Sequence, residues 1–126
     1  MSKEIIISSC VIIAILILDI WIGNFIDSKM EHEISLLGDL RVCIENNDYK
    51  VAKEKVKEVD NYWNKSEEVL SFYLEHDELE KVSTELASLK VYIEMQNDDA
   101  LESVDKMQFI IRHIEEKNDL KIKNIF

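Results

Sequence analysis

An apolar run near the amino end is the feature that most restricts what this chain can fold into. Residues 5–18 contain no charged side chain, and residues 5–22 contain only Asp19. A helix that is apolar on all sides has no face for water and belongs in a core or in a membrane. Residues 5–22 would form about 27 Å of helix at about 1.5 Å per residue, near the lower limit for crossing a bilayer. We therefore predict one membrane span over residues 5–22.

Three alternatives to a retained anchor have less support. A cleaved signal peptide needs small residues at its cleavage site, and Asp19–Asn24 offers no such site. Ile7–Cys10 has the local form of a lipidation box, but the apolar region before the cysteine is too short for a lipoprotein signal. A helix in the core of a protein of this size is expected to keep one polar face toward water, and this run has none.

The short amino tail sets the predicted orientation. Residues 1–4 carry one lysine and one acid, and acids contribute little to the positive-inside rule. Because a short tail before an anchor most often stays in the cytoplasm, we predict a single-pass protein of the cell membrane with its remaining chain extracytoplasmic. Residues 1–26 are then the tail and the anchor, and residues 27–126 are an acidic α-helical domain. Cys10 in the span and Cys43 in the domain cannot meet within one chain.

Residues 27–126 are predicted to be wholly α-helical. The sequence has no proline and two glycines, whereas β-sandwiches, barrels and phosphate-binding loops need such residues at their turns. Residues 27–126 hold 24 acids and 14 bases. A surface this acidic repels a polyanion, so we do not expect nucleic acid as a partner.

Apolar residues recur three and four positions apart in four segments of this domain. The spacing predicts amphipathic helices that pack as antiparallel neighbours in a bundle of about four. Leu40–Glu45 resembles Leu89–Glu94, which predicts two similar αα-hairpins and leaves a tetratricopeptide-like twist open. The predicted core positions are Met30, Ile34, Leu37, Leu40, Ile44, Ala52, Val56, Val59, Trp63, Ser66, Leu70, Tyr73, Leu79, Val82, Leu86, Leu89, Ile93, Ala100, Val104, Met107, Ile111 and Ile114.

Asparagine and aspartate mark the predicted ends of the helices. Asn46–Asp48 and Asn97–Asp99 separate the helices of each hairpin, with Asn suited to a left-handed helix end and Asp to the next N-cap. Between the hairpins, Asp77 is the predicted N-cap. A single helix over residues 48–75 would be about 40 Å long and would reach toward the membrane, so we predict a bend around Asn61–Ser66.

Three histidines are the weak candidates for a metal or pH-sensing site. His32, His76 and His113 all fall toward the membrane-proximal end of an up-down-up-down bundle, and each has acidic neighbours. No H-x-x-x-H pair occurs, so no zinc site is predicted, and no metal or cofactor is expected. Paired carboxylates are too frequent to single one out, and no Ser-His-Asp or Cys-His arrangement has local support. We therefore predict that the chain is not an enzyme.

Three short motifs resemble a known family. Trp63–Glu67, Glu75–Leu79 and Asn124–Phe126 stand in the same order in the domain-of-unknown-function 4363 family. Its members are small proteins, mostly of spore-forming Gram-positive bacteria, with one N-terminal membrane segment and an α-helical remainder. The family has no established activity, so the resemblance implies a bacterial cell membrane but no catalytic residue.

Two functions from different classes are our hypotheses. The first is a non-catalytic, extracytoplasmic protein-interaction module that binds a membrane or envelope protein, with a homodimer also open. The second is a divalent-cation or pH sensor that uses the membrane-proximal histidines and acids. The resemblance also implies a structural or binding unit in the motifs, and the interaction candidates are Trp63, Glu67, His76 and Phe126. Trp63 also lies in the apolar stripe, which favours a core position.

Overall fold

Four helices contain most of the residues that the structure describes, which are residues 2–125. In this computed structural model, α1 spans Ser2–Glu45, α2 Tyr49–Leu70, α3 His76–Glu94 and α4 Asp99–Ile125. The described part of the chain contains no β-strand. The predicted all-α class is confirmed, and so is a long apolar helix that leads into a helical bundle.

The first helix contains both the apolar run and the first side of the bundle. The 44 residues of α1 extend about 66 Å at about 1.5 Å per residue. The helix is long and apolar enough to cross a membrane, and none of its most apolar 18-residue window is buried in the protein. Gly23 is buried, and its carbonyl oxygen accepts a hydrogen bond from Asn118 Nδ2 at 3.1 Å. The helix therefore continues without a break from the apolar run into the packed bundle.

The four helices close into a ring. α1 packs against α2 and α4, and α3 packs against the same two helices. Arg41 on α1 forms an ion pair with Asp105 on α4, which joins the first and last helices. This closing contact makes the domain a four-helix bundle, so the tetratricopeptide-like twist that the sequence left open is not adopted.

The predicted apolar stripe forms the core almost completely. Its positions in α1, α3 and α4 are all buried, and so are those of α2 as far as Leu70. Tyr73 is 47% exposed, because α2 ends before it. Trp63 is fully buried, and its Nε1 donates a hydrogen bond to Ser83 Oγ at 2.8 Å. Cys43 packs against the edge of this core.

The connections within the hairpins follow the predicted chemistry, with a shift in the second. Asn47 has a left-handed backbone, φ 56°, and Asp48 caps α2 by accepting a backbone N–H bond at 3.3 Å. In the second hairpin the left-handed residue is Gln96, φ 53°, and Asn97 Oδ1 accepts a bond from the Asp99 N–H at 2.9 Å. The left-handed position therefore falls on Gln96, one residue before the predicted break.

The connection between the hairpins differs from the prediction. α2 ends at Leu70, its last side chain to reach the core, and is about 33 Å long rather than about 40 Å. It is unbroken helix through residues 61–66, so a shorter helix replaces the predicted bend. The N-cap prediction for Asp77 is wrong, because Glu75 occupies that position in an extended conformation. Asp77 lies in the first turn of α3, where an acid favours the positive end of the helix dipole.

Candidate functional site

The three candidate histidines lie on different helices. His32 on α1 lies against Tyr62 on α2, with 4.2 Å between the ring centroids. His76 is exposed at the start of α3, and its Nε2 is 3.8 Å from Glu80 Oε2. His113 is exposed on α4. In the described part of the chain, no three His, Cys, Asp or Glu side chains are grouped so that they could hold a metal ion.

The four interaction candidates have different surroundings. Trp63 is fully buried, which gives it a packing role. Glu67 is half-buried on α2, and His76 is exposed at the start of α3. Phe126 lies outside the described residues. A contact role for Glu67, His76 and Phe126 stays a prediction.

A groove between α3 and α4 combines apolar and charged side chains in its lining and could hold a ligand. It has a volume of about 440 Å³, and we call it the Phe109 groove. Phe109 is 74% exposed, while Ile110 is half-buried and Ile114 is buried. These three side chains supply its apolar surface, and the rest of its lining is Glu75, Asp77, Glu78, Lys81, His113 and Lys117.

The rim of the Phe109 groove is rich in acids. Lys117 Nζ lies 2.8 Å from Glu78 Oε1 and 3.8 Å from Glu75 Oε2, and the bond to Glu78 is the main cause that raises the pKa of Lys117. Two shallower depressions continue the groove past Ile110. Together the three openings are lined by seven acids and three lysines. The groove is thus an apolar strip with a mainly negative border.

A buried acid occupies a core position of α1. Glu33 is 1% exposed, and neither of its carboxylate oxygens has a hydrogen-bond partner. Ser66 Oγ on α2 is also buried without a partner. Burial and then the charge of Asp60 raise the pKa of Glu33 to about 8. The Glu33 carboxyl is therefore protonated and uncharged at neutral pH.

A second group of acids lies between α1 and α4, close to the end of the apolar run. Asp27 faces Asp119, and Glu31 faces Glu115. Burial is the main cause that raises the pKa of Asp27 to about 6 and that of Glu115 to about 7, and the facing acids raise both further. Asn118 Nδ2 donates to Asp27 Oδ1 at 3.0 Å, which lowers the Asp27 pKa in part. Because both pKa values are raised, these contacts hold α4 on α1 more strongly as the pH falls.

Sequence reasoning missed Phe109 and Glu33, although the sequence contains a signal for each. Phe109 follows the core residue Met107 by two positions, which turns its ring away from the core of an α-helix. Glu33 stands in an alternating four-three series of buried α1 positions, which are Ile26, Met30, Glu33, Leu37, Leu40 and Ile44. An acid in a core register is unusual enough to mark a position for attention, whereas a single exposed ring such as Phe109 gains meaning only from the groove beside it.

Comparison with protein families gives a match over most of the chain. The family model described as "Domain of unknown function (DUF4363)" matches residues 20–125. The match begins near the end of the apolar run and contains the whole bundle, including the Phe109 groove and Glu33. It agrees with the resemblance carried by the three short motifs. Comparisons with curated proteins and with solved structures found no match.

Proposed function

Because the chain belongs to the DUF4363 family, whose description assigns no activity, we propose its function from its own geometry. The protein is a membrane-anchored, extracytoplasmic and non-catalytic module. Its bundle binds a basic amphipathic helix of a membrane or envelope protein in the Phe109 groove. The observation that carries this proposal is a large exposed aromatic ring beside an apolar groove with an acidic rim.

The apolar part of the groove suits side chains from a partner helix. Phe109 is 74% exposed, and burying an aromatic side chain against a partner is a common source of binding energy at interfaces. A volume of about 440 Å³ is in the range of binding pockets and accommodates a few apolar side chains. An amphipathic helix would present such side chains at intervals of three and four residues.

The charge of the rim favours a basic partner. Seven acids and three lysines line the groove and its continuations, and residues 27–126 hold 24 acids and 14 bases. Complementary charge speeds association and disfavours acidic competitors. Lysine and arginine on the polar face of the partner helix would pair with the rim while its apolar face fills the groove.

The short distance between the groove and the predicted end of the membrane span favours a partner in the same membrane. Gln108, next to Phe109, bonds through its side chain to the carbonyl oxygen of Ile34 at 3.4 Å. Ile34 lies about 18 Å along α1 from Ile22, where the predicted span ends. A helix that leaves the bilayer beside this protein would reach the groove within its first few turns.

Photo-crosslinking at Phe109 tests the groove as a binding surface. A photoreactive phenylalanine analogue at position 109, in the full chain in native membranes, is expected to crosslink to a segment that mass spectrometry identifies as basic and helical. The matched control is the same analogue at Phe72, which is 81% exposed at the α2–α3 connection. We also expect Phe109→Ala to weaken binding of a peptide with the recovered sequence by about tenfold or more, while Phe72→Ala leaves it unchanged.

Three outcomes would contradict this assignment. Crosslinks from position 109 to a second copy of the chain would make the groove a homodimer interface. Equal recovery of the same segment from positions 109 and 72 would show contact without a specific site. A stable crosslink to an acidic segment would also overturn the charge argument.

A topology reporter tests the extracytoplasmic placement of the bundle. An enzyme that is active only outside the cytoplasm, fused after Phe126, is expected to be active in cells. The same enzyme fused before Met1 is expected to be inactive and serves as the control. The reverse result would place the bundle in the cytoplasm and contradict this part of the proposal.

A further inference from the structure

Glu33 is an unpaired carboxyl inside the seam between α1 and α2. It is 1% exposed, and both of its oxygens lack a hydrogen-bond partner. A carboxylate buried in this way costs several kcal/mol unless a donor or a cation reaches it. The helices can therefore stay packed over Glu33 only while its carboxyl is protonated.

Tyr62 covers this region from α2 and is held by two basic side chains of α1. The His32 ring lies 4.2 Å from the Tyr62 ring between centroids, and Lys29 Nζ lies 5.1 Å from the Tyr62 centroid. Lys29 also precedes Glu33 by four positions, so the two share one face of α1 and can approach each other. Lys29 Nζ also lies 5.4 Å from the Phe25 centroid, so in the closed state it lies beside two aromatic rings, and an ionised Glu33 would be a competing partner.

No donor of a neighbouring helix, in the part of the chain that the structure describes, forms a hydrogen bond to Glu33. Asp60 on α2 adds negative charge, although Lys90 on α3 pairs with it at 3.2 Å. Ser66 Oγ on α2 is also buried without a hydrogen-bond partner, and the Gln108 side chain on α4 bonds to the carbonyl oxygen of Ile34, the residue after Glu33. An ionised Glu33 must therefore draw its partner from α1 itself or from water.

We propose that the α1–α2 seam at Glu33 is a proton-controlled gate. With the proton bound, α1 and α2 close over Glu33 beside Tyr62. When the proton passes to solvent, the carboxylate draws in Lys29 and water, Tyr62 loses its cation, and the seam opens locally. The gate is independent of the Phe109 groove, so it works whether or not the proposed partner binds.

The direction of the pH dependence follows from the closed state. Burial raises the pKa of Glu33 from 4.5 to about 8 in the closed seam, and opening restores contact with water. Between these values the closed state holds a proton that the open state loses. The ratio of open to closed molecules therefore rises with pH by up to about tenfold per pH unit, and it levels off above about pH 8.

Fluorescence quenching of Trp63 tests the gate. Trp63 follows Tyr62 on α2 and is fully buried. The sequence has two tryptophans, so the substitution Trp21→Phe removes the other one and leaves Trp63 as the fluorescent probe. With the full chain in detergent micelles, the acrylamide quenching constant is expected to rise at least about twofold from about pH 6 to about pH 9. Helical content by circular dichroism should stay constant. In a Glu33→Gln variant the quenching constant should be the same at both pH values.

Two controls make the result specific to Glu33. Asp39→Asn removes an exposed acid from the same helix and should leave the rise intact. If Glu33→Gln does not fold, Glu33→Leu replaces it as the non-titrating variant. A quenching constant that is flat in the parent protein overturns the gate, and so does an equal rise in the non-titrating variant. Neither result bears on crosslinking at Phe109.

Discussion

Replacing Trp63 with alanine is expected to lower the free energy of unfolding by about 3–5 kcal/mol. Trp63 is fully buried, and its removal would leave a cavity that neighbouring helices can fill only in part. The substitution also removes the donor that bonds to Ser83 Oγ at 2.8 Å, which links α2 to α3. We expect the largest loss of stability here, because Trp63 is the largest of the fully buried side chains.

Denaturant unfolding of the full chain in detergent micelles, followed by circular dichroism, measures this loss. Phe72→Ala is the matched control, because that ring is 81% exposed and its removal should change stability by less than about 0.5 kcal/mol. Trp63→Phe keeps an aromatic ring and should retain more than half of the lost stability. A Trp63→Ala protein as stable as the parent would mean that this ring is not packed in the core.

Replacing Glu33 with leucine is expected to raise stability, by a margin that grows with pH. The folded protein keeps Glu33 protonated up to about pH 8, whereas the unfolded chain loses this proton near pH 4.5. Stability therefore falls as the pH rises between these values, by up to about 1.4 kcal/mol per unit, and the full loss is present above about pH 8. Leucine does not titrate and fills the site with apolar atoms. We expect a gain of about 1 kcal/mol near pH 5 and about 4–5 kcal/mol near pH 8.

The decisive measurement for Glu33→Leu is the difference between the stability gain near pH 8 and the gain near pH 5. Denaturation midpoints of variant and parent are measured at both pH values. Subtracting the parent from the variant at each pH cancels the contributions of the other acids that titrate in this range, such as Asp27 and Glu115. Asp39→Asn should give the same small change at both values. A constant gain would show that Glu33 is not protonated by burial, and a loss of stability would show that its carboxyl has a partner in the folded protein.

The fold could be predicted closely from the sequence because a single periodic pattern dominates it. The apolar stripe identifies nearly every buried position, and its interruptions fall at residues that can adopt a left-handed conformation or cap a helix. The end of α2 was harder to predict, because Phe72 and Tyr73 continue the apolar pattern but lie outside the core. Asp77 looked like a cap because of its residue type, whereas the extended residue before α3 is Glu75.

The candidate site was less predictable, because its residues become neighbours only through the packing of helices. Phe109 is a single aromatic residue in the sequence, and the groove beside it needs Glu78 and Lys81 from another helix. Glu33 looks like one acid among many until its neighbours show that no donor reaches it. The histidines attracted attention by their predicted common end of the bundle and their acidic neighbours, but no three His, Cys, Asp or Glu side chains of the described residues are grouped to hold a metal ion.

The unbroken course of α1 has a mechanical consequence. Gly23 is packed under α4, so the apolar run and the first side of the bundle are one continuous helix, and with the proposed span in a bilayer they would tilt together. The part of α1 beyond Ile22 extends about 34 Å, so a change in tilt of about 10° would sweep its far end sideways by about 6 Å. Tilt responds to the thickness of the hydrocarbon layer. With the proposed span in place, a thinner or thicker membrane would change this tilt and displace the far end of the bundle sideways.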